Sequence, residues 1–106
     1  MFDEFIQVVT TAASQDGAKK IAQALLDQKL AACVQIVGPI KSMYRWKGQI
    51  ESAVEFQCWI KTRRAKYDTV AAVIRQNHTY EIPEILAMPI VDGAESYLRW
   101  IAGETS

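Results

Sequence analysis

The chain has one histidine, two cysteines, three prolines and no excess of either charge. A single imidazole, His78, leaves no material for a two-histidine zinc-hydrolase helix. No GxSxG elbow, phosphate-binding glycine loop or dinucleotide GxGxxG is present either. Cys33 and Cys58 lack CxxC spacing and have no histidine nearby, so they read as small apolar strand residues, not as a disulfide or a metal pair. Lys+Arg and Asp+Glu each total 12, which argues against a general nucleic-acid or acidic-membrane binder. There is no apolar run long enough to cross a bilayer. Met1-Phe2-Asp3-Glu4 is acidic and leads directly into a strand pattern, unlike a signal peptide. These absences describe a cytoplasmic, non-enzymatic protein that touches neither membrane nor nucleic acid.

What is present is a regular alternation of elements over residues 1–106, read as a single domain. Glu4 to Thr10 is a β-branched strand, and Thr11 to Asp16 is a polar connection with Ser14 or Asp16 as helix cap. Ala18, Ile21, Ala22, Leu25, Leu26 and Leu30 form one helical face. A second helix is expected from Arg64 to Gln76, with Tyr67, Val70, Ala71 and Ile74 as its stripe. Glu84 to Val91 is a short apolar strand in which Pro89 marks an edge or an end. A final helix carries Tyr97, Leu98 and Ile101 and ends at Gly103. The order β-α-β-β-α-β plus a helix is α+β and ferredoxin-like: a four-stranded antiparallel sheet with both crossover helices on one face. The other face then needs cover from elsewhere.

Between the helices lies an unusually long hairpin. Cys33 to Lys47 places Val34, Ile36, Ile40, Tyr44 and Trp46 on one alternation, and Gln49 to Thr62 does the same with Ile50, Val54, Phe56, Cys58 and Ile60. Roughly 15 extended residues span about 50 Å. A domain of this size is only about 33 Å across. The hairpin must project, and a projecting apolar ribbon with open edges calls for other subunits. A strict two-residue loop at Lys47-Gly48 would set Ile40 opposite Glu55 and Tyr44 opposite Glu51. A one-residue shift would set Ile40 opposite Val54 and Ile36 opposite Cys58, matching the apolar faces. That shift requires either a three-residue loop or a β-bulge; Gly38-Pro39 is the natural bulge site, and a kink is expected there.

The residues now laid out resemble those of the CutA1 family of divalent-cation tolerance proteins. Leu30-Ala31-Ala32-Cys33-Val34-Gln35-Ile36 is similar to its LAACVNI segment, and Ser42 to Gly48 to its SxYxWxG hairpin tip. Lys61-Thr62 matches its IKT strand end, His78 to Ile85 its HPYExPEI segment, and Gly93 with Tyr97 to Trp100 its GxxxYLxW ending. The resemblance implies a homotrimer related in architecture to PII signalling proteins, with the long hairpins paired between neighbours. It implies a role in tolerance or response to copper and other divalent metals, with no reaction attached. Animal members are linked to acetylcholinesterase processing. Thr79 stands where the family has proline. Thr10 and Asn77 stand where some bacterial members have a cysteine and a second histidine, so a metal site using those positions has lost its softest ligand and one imidazole.

Each candidate side chain has two readings. His78 is a metal ligand or a cap for the end of the second helix. Glu81 and Glu84, flanking Pro83, are further metal ligands or an acid/base pair, or else solvated loop residues with one interface salt bridge. Tyr44, Trp46, Trp59 and Trp100 form a stacking surface or a subunit interface, with Tyr80 in the same inter-subunit cleft. Lys61, Arg63, Arg64 and Lys66 hold a small anion between subunits, as in a PII-like sensor, or face solvent. The expected cofactor is a weakly bound Cu²⁺ or other divalent cation that folding does not require. The expected partners are two copies of the chain, and beyond them a protein or small molecule that the trimer's loops would receive.

Overall fold

A computed structural model of the chain describes residues 4–106. The expectation for the acidic start falls partly on Met1, Phe2 and Asp3, which lie outside the described residues. The element order is β1 (Phe5–Ala12), α1 (Gln15–Asp27), β2 (Cys33–Trp46), β3 (Gln49–Arg63), α2 (Tyr67–Gln76), β4 (Ile85–Pro89) and α3 (Glu95–Glu104). The strands form one antiparallel sheet in the order β2-β3-β1-β4. This is the ferredoxin-like arrangement expected from the sequence, with Pro89 at the end of an edge strand.

One face of the sheet carries Ile6 and Val8 of β1 beside Cys58 and Ile60 of β3, all fully buried. They pack against Ile21 and Leu25 of α1 and Val70 and Ile74 of α2. Burying one such side chain contributes about 1.5–3 kcal/mol. Thr62 joins this layer by donating its hydroxyl to the Leu30 carbonyl at 2.6 Å.

Local chemistry accounts for the element ends. Ser14 caps α1, its hydroxyl accepting from Gly17 N at 3.0 Å. The helix stops at Asp27, short of Leu30, the last residue of its apolar stripe. Leu30 N donates to Leu25 O and Lys29 N to Leu26 O. Those two bonds are a Schellman motif, with Lys29 in the left-handed region at φ 57° where glycine is usual. β1 runs through Thr11 and Ala12, so the polar connection is shorter than expected. Arg64–Lys66 is a 3₁₀ turn before α2 begins at Tyr67. Gly103 does not end the last helix, which continues through it to Glu104.

The hairpin projects, giving the chain extents of 44 × 26 × 23 Å. Its register shifts between Val37 and Ile40, at the Gly38-Pro39 site, and Ile36 pairs with Cys58. One pairing departs from expectation: Ile40 faces Glu55, not Val54. The turn chemistry decides this. Lys47 at φ 51° and Gly48 at φ 79° form a two-residue turn with both central residues in the left-handed region, which fits the right-handed strand twist. Trp46 is therefore locked opposite Gln49 and Tyr44 opposite Glu51. The extra residue in β2 also switches its apolar side. Val34 and Ile36 pack toward the helices, whereas Ile40 shares a face with Glu55 and Gln57, on the side away from the helices.

Candidate functional site

The side of the sheet away from α1 and α2 contains two groups of functional side chains. The first lies at the root of the arm, where the loop after α2 folds over the end of β1. Asn77 closes α2, its side chain returning to Val73 O. His78 follows. Its Nε2 lies 2.5 Å from Thr11 O, and its Nδ1 accepts from Tyr80 N at 3.1 Å. A carbonyl only accepts and a backbone N–H only donates, so Nε2 bears the hydrogen and Nδ1 the lone pair. The imidazole thus fastens the loop to β1 with both nitrogens. Its ring centroid lies 4.7 Å from that of Tyr80.

Tyr80 completes the connection by donating its hydroxyl to Glu55 Oε2 at 2.8 Å. Burial, then the hydrogen bond and negative charge of Glu55, push the Tyr80 hydroxyl up to about 12. It therefore stays a neutral donor at physiological pH. Glu55 is only 7% exposed. Sequence reasoning missed it, because in Val54-Glu55-Phe56 it looks like one more polar residue of an alternating strand.

A cleft of about 640 Å³ opens between this loop and the arm. Tyr44, Trp46 and Tyr80 form aromatic walls, and Glu55, Glu81 and Glu84 supply three carboxylates. Among the described residues no lysine or arginine forms an ion pair with any of the three. The structure thus gathers His78, Glu81, Glu84, Tyr44, Trp46 and Tyr80 around one corner of the molecule. Thr10 does not join them: it faces the helices opposite Cys58, fully buried, with its hydroxyl unpartnered among the described residues.

The second group is centred on Lys61. Its ammonium is bonded by Gln7 Oε1 and, at 3.0 Å, by Gln35 Oε1, and it lies 5.7 Å from the Trp59 ring centroid. Burial pushes the Lys61 ammonium below the usual lysine range, opposed in part by Cys33. Arg63, expected in the same basic run, turns away and bonds Thr105 Oγ1 and O. That contact seats α3 against the end of β3. Trp100 pairs with Tyr97 on α3, outside the cleft at the root of the arm. Cys33 and Cys58 are free thiols on opposite faces of the sheet, as their row partners Lys61 and Ile36 show.

No group of three or more His, Cys, Asp or Glu side chains among the described residues is arranged to hold a metal ion. One subunit therefore offers acidic and imidazole donors without a preformed coordination shell.

A ferredoxin-like sheet with an overlong β2-β3 arm and a side-chain cluster at the arm's root defines a narrow class of small α+β proteins. The chain belongs to the CutA1 family: the family described as CutA1 divalent ion tolerance protein matches residues 6–104. The divalent-cation tolerance protein CutA of Archaeoglobus fulgidus is 45% identical over 94 residues, 89% of this chain and 91% of that protein. The chloroplastic protein CutA of Arabidopsis thaliana is 38% identical over 100 residues, 94% of this chain and 55% of that protein. The chain spans about half the length of that plant relative, and likewise of the rice and Xenopus relatives. Among solved structures, the A. fulgidus protein, titled a periplasmic divalent cation tolerance protein, superposes with TM-score 0.94 at 41% identity, covering 96% of this chain and 99% of that one. CutA1 of Shewanella sp. SIB1 does so with TM-score 0.95 at 36% identity, covering 99% and 98%. No helix among the described residues is long and apolar enough to cross a membrane.

Proposed function

We propose that this chain acts in tolerance or response to divalent cations as a cytoplasmic homotrimeric binding module without enzymatic activity. It engages Cu²⁺ or a related ion weakly beside His78. The observation that carries this reading is a cleft whose three carboxylates pair with no lysine or arginine among the described residues, bordered by the loop that follows the chain's only imidazole. Such a site attracts cations and repels anions. Weak binding follows from the geometry. A metal that took His78 Nδ1 would displace the Tyr80 N–H, and Cu²⁺ or Zn²⁺ favours about four ligands. Glu81 and Glu84, in the same segment as His78, would be the metal's carboxylate donors, and a neighbouring subunit would supply the remainder. The trimer is supported by the arm, whose Met43, Ile50 and Val54 are 71, 68 and 61% exposed in one subunit.

Calorimetric titration of Cu²⁺ and Zn²⁺, on material whose mass is that of a trimer, tests the reading. Saturable binding that disappears in His78→Ala is expected. Unchanged affinity in that variant removes the site.

A second reading, a sensor for a small organic anion between subunits, is favoured only by Lys61, whose partly desolvated ammonium lies on the face away from α1 and α2. Binding of a nucleotide or a carboxylate metabolite that is lost in Lys61→Met supports it. A third, a trimer that only presents loops to another protein, is supported by a stoichiometric partner with no effect of metal or anion.

A further inference from the structure

The cleft at the root of the arm has features that a metal ion does not use. Its carboxylates alone would suit any cation, but Tyr44, Trp46 and Tyr80 together with Met43 and Ile82 make much of its wall aromatic or aliphatic. A hydrated inorganic ion gains nothing from such walls. An organic ammonium gains from both parts, because its charge is attracted by carboxylates and ring faces while its methylenes cover apolar surface. The chain already uses this pairing nearby, with Lys47 Nζ 5.8 Å from the Trp46 ring centroid.

Glu55 is the second observation. It is only 7% exposed, it lines the cleft, and its carboxylate accepts from the neutral Tyr80 hydroxyl with no cationic partner among the described residues. A carboxylate with little of its surface in water and no cation beside it gains from a cation bound in the cleft. The cleft volume, about 640 Å³, suits an elongated small molecule and is larger than one ion requires.

We infer that the cleft between the arm and the 79–84 loop binds a small aliphatic polyammonium ion, with Glu55 as the buried anchor, Tyr44 and Trp46 as its walls, and Glu81 and Glu84 receiving the outer ammonium. This site shares Glu81 and Glu84 with the proposed metal site and does not use His78. Its ligand class differs from both a divalent metal and an anion.

The test is calorimetric titration of the intact oligomer with spermidine and putrescine, at fixed ionic strength, with Mg²⁺ and tetramethylammonium run as parallel probes. Saturable spermidine binding, tighter than that of putrescine, is expected. It should weaken about ten-fold or more in Glu55→Gln, which keeps the side chain's shape and a carbonyl for Tyr80. Trp46→Leu is the second variant and should weaken spermidine more than Mg²⁺. No saturable spermidine binding below about 10 mM overturns the proposal. So does an affinity unchanged in Glu55→Gln, or Mg²⁺ binding that equals that of spermidine and ignores Trp46→Leu. Loss of Zn²⁺ binding in His78→Ala, with spermidine binding intact, separates the two sites.

Discussion

Tyr80, in the loop after α2, donates its hydroxyl to the buried carboxylate of Glu55 at the root of the arm, at 2.8 Å. The two residues are 25 apart in sequence, and this bond couples the loop to the hairpin. The Tyr80 hydroxyl is raised to about 12 by burial and by Glu55, against about 10 when unfolded. A raised value means that the stabilisation is fully present below pH 10 and is lost as pH rises toward 12. Unfolding free energy should therefore fall across that window in the native protein and less so in Tyr80→Phe. Ultraviolet titration should show a tyrosine that ionises near 12 disappear in the same variant. At neutral pH the substitution should cost about 1 kcal/mol, the value of one partly exposed hydrogen bond.

Cys58 is fully enclosed between the sheet and α1, its thiol 3.5 Å from Ala18 O, and burial pushes it up to about 11. At pH 8 the native protein should leave Cys58 unmodified by iodoacetamide, and denaturant should expose it. Peptide mapping by mass spectrometry reads the outcome. The same upward shift means that the thiol's contribution to stability persists below pH 9 and declines as pH rises through 11.

Gly38 has no room for a side chain. A Cβ there would lie 2.6 Å from Cδ2 of Phe56, a ring packed against the core. Gly38→Ala should destabilise by about 1–3 kcal/mol in chemical denaturation, and Phe56→Leu in the same chain should recover part of the loss.

Lys29 occupies the left-handed position that closes α1, at φ 57°. Lys29→Gly should raise stability by about 0.5–1 kcal/mol, since glycine removes the Cβ clash and the Schellman bonds remain. An unchanged or lower denaturation midpoint would show that the greater freedom of glycine in the unfolded chain outweighs that relief.

If the arm mediates the proposed trimer, placing charge on it should dissolve the assembly. Ile50→Asp with Val54→Asp should lower the mass measured by light scattering toward that of one chain, while circular dichroism retains the sheet. A trimer unaffected by both substitutions would move the interface to the face around Lys61.

Most of the fold was legible because the signals were local and mutually consistent. The helical stripes of α1 and α2, the Ser14 cap, the long alternation and the Gly38-Pro39 bulge each follow from a few neighbouring residues. The misreadings came from competition between local rules. Matching apolar faces would pair Ile40 with Val54, but the tight turn at Lys47-Gly48 overrides it. Leu30 has helical spacing from Leu25 and Leu26, yet it belongs to the Schellman closure. The candidate site was legible only in part. His78, Glu81, Glu84 and Tyr80 share one segment, and Tyr44 and Trp46 mark the arm. Glu55 acquires its meaning only when Tyr80 folds onto it, and no spacing in the sequence reports that contact.

The parity change at Gly38-Pro39 has a mechanical consequence. On β2 the arm's Ile40 lies on the side away from the helices, whereas on β3 Val54 lies with Phe56 on the helix side. Neither surface of the ribbon is the greasy one, since each strand donates its own half. The arm is therefore a tongue and not a paddle. In the proposed trimer, a neighbour that covered the whole arm would grip it from above and below, as a slot does. A flat surface would leave half of the apolar area wet whichever way the tongue lay.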